Sequence, residues 1–418
     1  MIKSSYGIIP FAIGRVKRRS LLGLLAGLGF IILPFVFWPK AQIPYEIPRV
    51  WFVIGWIDIM AFVSISSFFR LRKAQKIDAT LILIVLFFFV LAAFSSLLGA
   101  DLIKSLWGNL YRLDGLVTLG HLIALFFIVG LYINKLDIKF IALGIFLGSF
   151  LESILTLYLN FRFYILGHQS LLNFQGVIGS TFGQPVFLAG YLLVTLPFTL
   201  YFFYSTSSKK ARIFLIIALV VQIAATLLTR SWGGVLGLIL FFILWAGLIA
   251  KKAKLLKVIS LVIFFLLACL LYVINENKAL KEVRYENPTL IIAEDRSRII
   301  VKGLKALIQK PILGWGWANY DYAFESVDWP VHFENDVYVD KGHSHLLEIL
   351  VTTGFFGLVS YLFILSRGFA NLFKRRGDFS KILLLSLVLF VFHSQTNVIS
   401  IAEELIFWFI LGSSIKSY

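Results

Sequence analysis

The chain has 418 residues, 59% of them hydrophobic and 16% aromatic, with a mean hydropathy of +0.89. No soluble domain sustains that average, and solid apolar runs without alternation exclude a β-barrel, so the composition points to an all-α polytopic membrane protein. The net charge of +17 belongs to lysines and arginines gathered between apolar runs, the pattern of loops held on one side of a membrane and not of a nucleic-acid surface.

Residues 1–19 carry Lys3, Arg15, Lys17, Arg18 and Arg19 without an acid, and an apolar run, Ser20 to Trp38, follows. That run is long enough to span and no small-x-small cleavage site follows it, so an uncleaved first helix is expected, with its start in the cytoplasm. Further runs long enough for about 30 Å of hydrocarbon lie near 50–69, 78–98, 115–133, 138–158, 182–204, 213–229, 232–250, 255–274, 344–366, 380–396 and 399–415, which makes about twelve spans. Cys269, the single cysteine, lies inside one of them, where neither an intrachain disulfide nor a Cys-based metal site is open to it.

The loops test this count. With the start inside, the inner loops hold Arg70, Arg72, Lys73, Lys76, the Lys209–Arg212 group, the Lys251–Lys257 group, Lys374–Arg376 and Lys381. The short outer loops hold only Lys40, Arg49, Lys104, Arg112, Arg162 and Arg230. This bias puts both termini in the cytoplasm, and a single missed helix would spoil it. The chain then divides into helices one to nine over 1–274, an extracytoplasmic segment over 275–343, and helices ten to twelve over 344–418. Within the segment, 297–309 predicts an amphipathic helix along the membrane surface. Ile299, Ile300, Leu304, Leu307 and Ile308 are placed on one face and Lys302 and Lys305 on the other. Pro311 and Gly314 end it. No repeat or low-complexity tract is evident.

Charged side chains near a bilayer face are costly and usually have a function or a partner. Arg230 stands in Thr229-Arg-Ser-Trp-Gly-Gly234, between two spans with almost no loop. It reads either as a snorkelling helix-end arginine or as an anion ligand approached over small residues. Arg296 and Arg298 open the amphipathic helix, where guanidinium forks and free N–H groups suit phosphate oxygens; pairing with Glu294 or Asp295 is the alternative. His343 and His345 precede the tenth span, and a neutral imidazole there can take a proton from a hydroxyl nucleophile. Two residues apart on a helix, only one of them is expected to face a given site. A metal set of Asp340, His343, His345 and Glu348 matches no strong zinc spacing. Gly314-Trp-Gly-Trp317 reads as a turn with exposed aromatics, either interfacial anchors or a platform for a sugar. Gln184 and Arg112 begin two further spans at the same outer level, and Asp114 reads as a helix cap.

Four segments carry a family resemblance. They are Thr181-Phe-Gly-Gln-Pro-Val-Phe-Leu-Ala-Gly-Tyr-Leu192, Leu228-Thr-Arg-Ser-Trp-Gly-Gly234, Ser297-Arg-Ile through Pro311-Ile-Leu-Gly-Trp-Gly316, and His343-Ser-His-Leu-Leu-Glu-Ile-Leu-Val-Thr-Thr-Gly-Phe-Phe-Gly357. In order and topology the chain resembles the O-antigen ligase/O-antigen polymerase (Wzy_C-type) superfamily of bacterial membrane glycosyltransferases, over roughly residues 90–400. The resemblance implies a GT-C-like fold in the bacterial cytoplasmic membrane and a lipid-linked glycan donor, normally undecaprenyl diphosphate. It also implies a glycan, lipid or protein acceptor hydroxyl on the outer face, and chemistry without a metal or other cofactor. Carried over, Arg230 and Arg298 hold the diphosphate and His343 is the base or orienting group, with Arg296, His345, Gln184 and Arg112 secondary. Trp232, Ser344, Thr352 and Val186 depart from the pattern: the first stands where many members have arginine, and the others replace asparagine, glutamate and asparagine. Surrounding membrane lipids are the remaining expected partners. A transporter, which shares the helix count, and a non-catalytic scaffold for glycan assembly are the alternatives; carriers often show related halves and midplane charges, and neither is evident here.

Overall fold

The computed structural model describes residues 21–41, 43–68, 77–167, 173–174, 177–248, 296–327, 339–375 and 377–416. Among them the helices are α1 (Leu21–Ile32), α2 (Glu46–Phe68), α3 (Ala79–Leu97), α4 (Leu102–Trp107), α5 (Leu116–Phe127), α6 (Lys135–Tyr164), α7 (Pro185–Ser205), α8 (Lys209–Leu228), α9 (Trp232–Leu248), α10 (Arg296–Gln309), α11 (Tyr320–Glu325), α12 (His345–Phe373), α13 (Asp378–Thr396) and α14 (Ile401–Ser414). A two-stranded antiparallel ladder pairs Asn173 with Ile178 and Phe174 with Val177. Seven helices, α2, α3, α6, α7, α8, α12 and α13, are long and apolar enough to cross a membrane. The shorter apolar stretches Leu21–Phe35, Leu116–Tyr132 and Trp232–Gly247 and α14 fall on four more of the predicted spans. The expected span at 255–274, Cys269, the basic start, and the predicted segment before Arg296 and over 328–338 lie outside the described residues.

Polar side chains start the helices where the chain leaves a loop. Asp78, Asp101, Asn134, Ser208 and Ser344 each accept a hydrogen bond from a first-turn backbone N–H, and Ser400 forms a reciprocal capping box with Glu403. Asp114 does not join them. Gly115 occupies the cap of α5 without a side-chain bond, and Asp114 serves the site described below.

Helix α7 is the hub, packed against α6, α8, α9, α13 and α14. It is apolar all round because it is buried all round. Against α6 lies α1, and the two meet through small residues: Gly23 and Gly27 on one, Gly144 and Gly148 on the other. A Cβ on Gly144 would come within 2.2 Å of the Gly27 carbonyl oxygen, so the backbones nearly touch, as small-xxx-small pairs allow in lipid.

Helix α12 is broken at Gly354, whose φ is +69°. The segment 311–316 fills the break. Trp315 and Gly316 donate their N–H groups to the carbonyls of Val351 and Thr352, and Phe355 donates to Pro311. The Ser95 hydroxyl of α3 adds a bond to Thr352 O at 2.7 Å. The Gly314-Trp-Gly-Trp turn is therefore an internal splint and not an exposed aromatic platform. Trp315 is buried with its indole on the Ala306 carbonyl, and Trp317 donates its indole N–H to Asp114 O.

Helix α10 also differs from its predicted facing. Ile299, Lys302, Gly303 and Ala306 are buried against the fold, with Lys302 Nζ 3.9 Å from the centre of the Phe324 ring. Ile300, Leu304 and Ile308 form the exposed stripe. The exposed apolar stripe is what a helix along a membrane surface would present, as expected; the departures are Ile299, which leaves that face, and Lys302, which is buried with it.

Loops assigned to one side by charge meet one another. At one end Arg367 grips Asp78, Arg375 reaches the Ser413 carbonyl, and Lys416 reaches those of Leu131 and Ile133. At the other, Glu46, Arg112, His343 and Asn397 come together.

Candidate active site at the head of helix α12

A cavity of about 760 Å³, counted to its open mouth, lies where α2, the α4–α5 loop, the head of α12 and the α13–α14 turn converge. The α4–α5 loop contributes Arg112 and Asp114. The approach to α12 contributes Lys341 and His343, the first turn of α12 contributes His345 and Glu348, and α14 contributes Glu404.

The cavity's charges are largely matched. Lys341 ion-pairs with both Asp114 and Glu348. Burial opposes the lysine's charge, but the two carboxylates outweigh it and hold its pKa above the ordinary value. Burial likewise works against the Asp114 carboxylate, yet Lys341 and then Arg112 keep its pKa below the usual range. Arg112 Nε bonds Asp340 Oδ2 at 2.6 Å. Glu46 takes a bond from Arg49 at 2.8 Å and accepts the Ile401 N–H at 3.2 Å, which ties α2 to the start of α14. The acids of the metal set considered above, Asp340 and Glu348, are thus held by Arg112 and Lys341. No group of three metal-ligating side chains forms among the described residues.

His343 sits in this frame with φ +50°, a left-handed backbone that a non-glycine residue rarely adopts. Burial lowers its pKa, and repulsion from Arg296 and Arg112 lowers it further against a weaker pull from Asp340. The imidazole is therefore neutral at neutral pH and able to accept a proton. His345 also lines the cavity, against the expectation that only one histidine would. The reason is local: His343 precedes the helix and escapes its 100° geometry. The His345 ring packs edge-on to Tyr361 at 5.3 Å.

The arginines lie further out. Arg296 donates to Thr396 O at 2.7 Å and to Asn397 Oδ1 at 3.2 Å, at the rim formed by the α13–α14 turn. Neither Arg230 nor Arg298 is among the cavity's lining residues. Arg230 occupies a left-handed turn, φ +53°, between α8 and α9, with its guanidinium 5.1 Å from the Tyr164 ring centre. Arg298 lies in the first turn of α10, two residues beyond Arg296. The helix starts that carry them reach one corner, because a Cβ on Gly233 of α9 would meet Asn397 Nδ2 at 2.2 Å, beside the atoms that Arg296 holds. Gln184 is the exposed N-cap of α7 and lies outside the cavity.

Sequence reasoning passed over Lys341 and Glu404 and gave Asp114 and Glu348 other roles. A signal existed for Glu404, a carboxylate inside an apolar run. For Lys341 there was none, since its partners are distant in the chain.

Residues 217–362 match a family model described as O-Antigen ligase (Wzy_C). No curated protein matches the chain. The matched stretch is about a third of the sequence and contains Arg230, Arg296, Arg298, His343 and His345, while Arg112 and Gln184 fall before it. The match supports a membrane glycosyltransferase-type function, and the chain is a polytopic all-α membrane protein whose residues 217–362 carry the O-antigen ligase family signature.

Proposed function

We propose that this protein transfers a glycan from a polyprenyl-diphosphate carrier to an acceptor hydroxyl at the outer face of the bacterial cytoplasmic membrane, without a metal. The observation that carries this reading is His343. It is a neutral imidazole on a left-handed turn lining the cavity, inside the family-matching segment and next to a corner where the start of α10, with Arg296 and Arg298, meets the start of α9, which follows Arg230.

In the proposed step the acceptor oxygen attacks the anomeric carbon as its proton passes to His343. The bond from that carbon to the phosphate oxygen breaks, and its electron pair leaves with the polyprenyl diphosphate. Arg230 and Arg298 stabilise the charge that develops on the leaving group. The imidazolium then returns its proton to water. The cavity itself suits hydroxyls better than phosphate, because it presents carboxylates, Trp317, Ser344 and Asn397. We therefore assign the cavity to the sugar or acceptor and the arginine corner to the diphosphate.

The test is turnover of purified lipid-linked donor by His343→Ala, Arg230→Ala and Arg298→Ala. Unchanged turnover of His343→Ala removes the imidazole from the chemistry. Ligase and polymerase share this step and differ in acceptor. A deletion strain separates them: accumulated long lipid-linked polymer means ligase, and single repeat units mean polymerase.

A further inference from the structure

The opposite end of the bundle holds a second cavity, about 1530 Å³ counted to its mouth, between the start of α6, the end of α12, the start of α13 and the end of α14. Its charged lining is one-sided. Among the described residues Lys135, Lys139, Arg367, Lys374 and Arg375 line it with one acid, Asp78. That acid is already saturated: Arg367 donates to both its oxygens at 2.8 and 2.9 Å, and Asn371 donates at 2.7 Å. Asp378 at the start of α13 is not part of the lining, stands 78% exposed, and takes Lys381 at 3.6 Å.

Three lysines are left over. Lys135, Lys139 and Lys374 make no ion pair among the described residues, and the buried Nε of Arg367 has no hydrogen-bond partner there. Lys135 is the first residue of α6, where a cation opposes the helix dipole and is unfavourable on its own account. Lys139 is one turn on. Below the cations the wall changes character to Ile138, Tyr201, Phe379 and Leu383. Exposed ammonium groups above a recess of apolar side chains match one kind of molecule, a phosphodiester head with acyl chains.

We propose that this cavity binds an anionic phospholipid, with its phosphate among Lys135, Lys139 and Lys374 and its chains along the exposed Ile77 and the half-buried Phe379. The site is independent of the transfer reaction proposed above. Phosphate oxygens supply the lysines' missing partners and relieve the dipole conflict at Lys135. The chains cover Ile77 and Phe379, the apolar lining residues that the helices leave accessible, over a floor of Ile138, Tyr201 and Leu383. Nothing in this arrangement selects a zwitterionic lipid, whose ammonium would face the lysines.

The experiment is thermal unfolding of the purified full chain in neutral detergent, with added phosphatidylglycerol, phosphatidylcholine of the same chains, or inorganic phosphate. Bound lipid is counted by native mass spectrometry. Phosphatidylglycerol raises Tm in the native chain, and the other two do not. In the triple variant Lys135→Gln, Lys139→Gln, Lys374→Gln the response is lost, while Tm in phosphatidylcholine is no lower than that of the native chain. A juxtamembrane lysine near an anionic surface contributes about a fivefold preference, so three together weaken phosphatidylglycerol binding on the order of a hundredfold. A full response in the triple variant, or equal responses to the two lipids, overturns the site. A full response to inorganic phosphate alone overturns the lipid assignment in favour of a soluble anion. Should the triple variant fail to fold, Lys139→Gln alone is read by mass spectrometry: about fivefold weaker retention of phosphatidylglycerol is expected, and unchanged occupancy refutes the proposal.

Discussion

Lys341→Met isolates the frame that holds His343. Lys341 is 12% exposed and bridges Asp114 and Glu348, which are 19% and 17% exposed. Methionine keeps most of the stem's volume but strands two carboxylates in a partly dry cavity. Removing one side of such a buried pair costs about 3–5 kcal/mol. The upper part of that range applies to Glu348, because Asp114 retains Arg112 as a second source of positive potential. Replacing the whole set with neutral groups, Lys341→Met with Asp114→Asn and Glu348→Gln, removes the stranded charge and should recover most of the loss.

Acid acts in the same direction on the single variant. Without Lys341 the Asp114 carboxyl loses a cation that holds its pKa down, so the folded variant binds more protons than the native fold does. The deficit of Lys341→Met against the native chain therefore shrinks as pH falls toward the ordinary carboxylate range. In the native chain Asp114 has the opposite sign: its lowered pKa gives stability that is present above the usual 3.8 and lost only as pH falls through the depressed value. The assay is a thermal unfolding series in detergent across that range for the native, single and triple proteins. A single variant as stable as the native chain, or a triple variant no better than the single, would refute the claim that this charge set fixes the loop.

Three further outcomes follow from the geometry. Transfer activity should show an acid limb below the ordinary histidine value of 6.5, because the lowered pKa of His343 keeps the imidazole neutral down to more acidic pH; Arg296→Ala removes a repulsive charge and should move that limb to higher pH in the kcat/KM profile. Gly354→Ala forces a Cβ to within 2.2 Å of the Ile312 carbonyl oxygen at a φ of +69°, so a loss of at least about 2 kcal/mol is expected in denaturant titrations. Gly144→Leu should separate α1 from α6 and sharply lower Tm, whereas Gly120→Ala, whose Cβ would sit 3.7 Å from the Phe89 ring, serves as the tolerated control.

The helices were legible because lipid imposes a length and an apolar face on each, and because lysines and arginines mark their ends. The runs 380–396 and 399–415 separated as read, but the turn expected at His393–Asn397 falls later, at residues 397–400, because the helix continues through Thr396. Facing was less legible. In α10 Ile300 and Leu304 stay on the exposed apolar stripe expected of them, but Ile299, grouped with them, is buried, and Lys302, placed on the polar face, is buried on the Phe324 ring. The Trp315 turn misled for the same reason: aromatics at an interface and aromatics splinting a broken helix have the same local sequence. Only the pairing of 311–316 with the carbonyls around Gly354 distinguishes them.

The same limit shaped the site. His343 and His345 were visible as residue types, whereas the charge set that orients them joins positions 112–114, 341–348 and 404, and spacing carries no trace of it. That set also bears on how the proposed reaction is divided. Among the described residues four carboxylates line the cavity, and Arg49 and Lys341 engage three of them, Glu46, Asp114 and Glu348. A diphosphate placed among them would meet the field of Glu404 with no cation to spare. Placed at the Thr396–Asn397 corner, it meets Arg296 at once and the helix starts that carry Arg298 and Arg230. In the proposed reaction the acceptor oxygen, with His343 beside it, would then attack the anomeric carbon on the face opposite the departing diphosphate, which a single displacement requires.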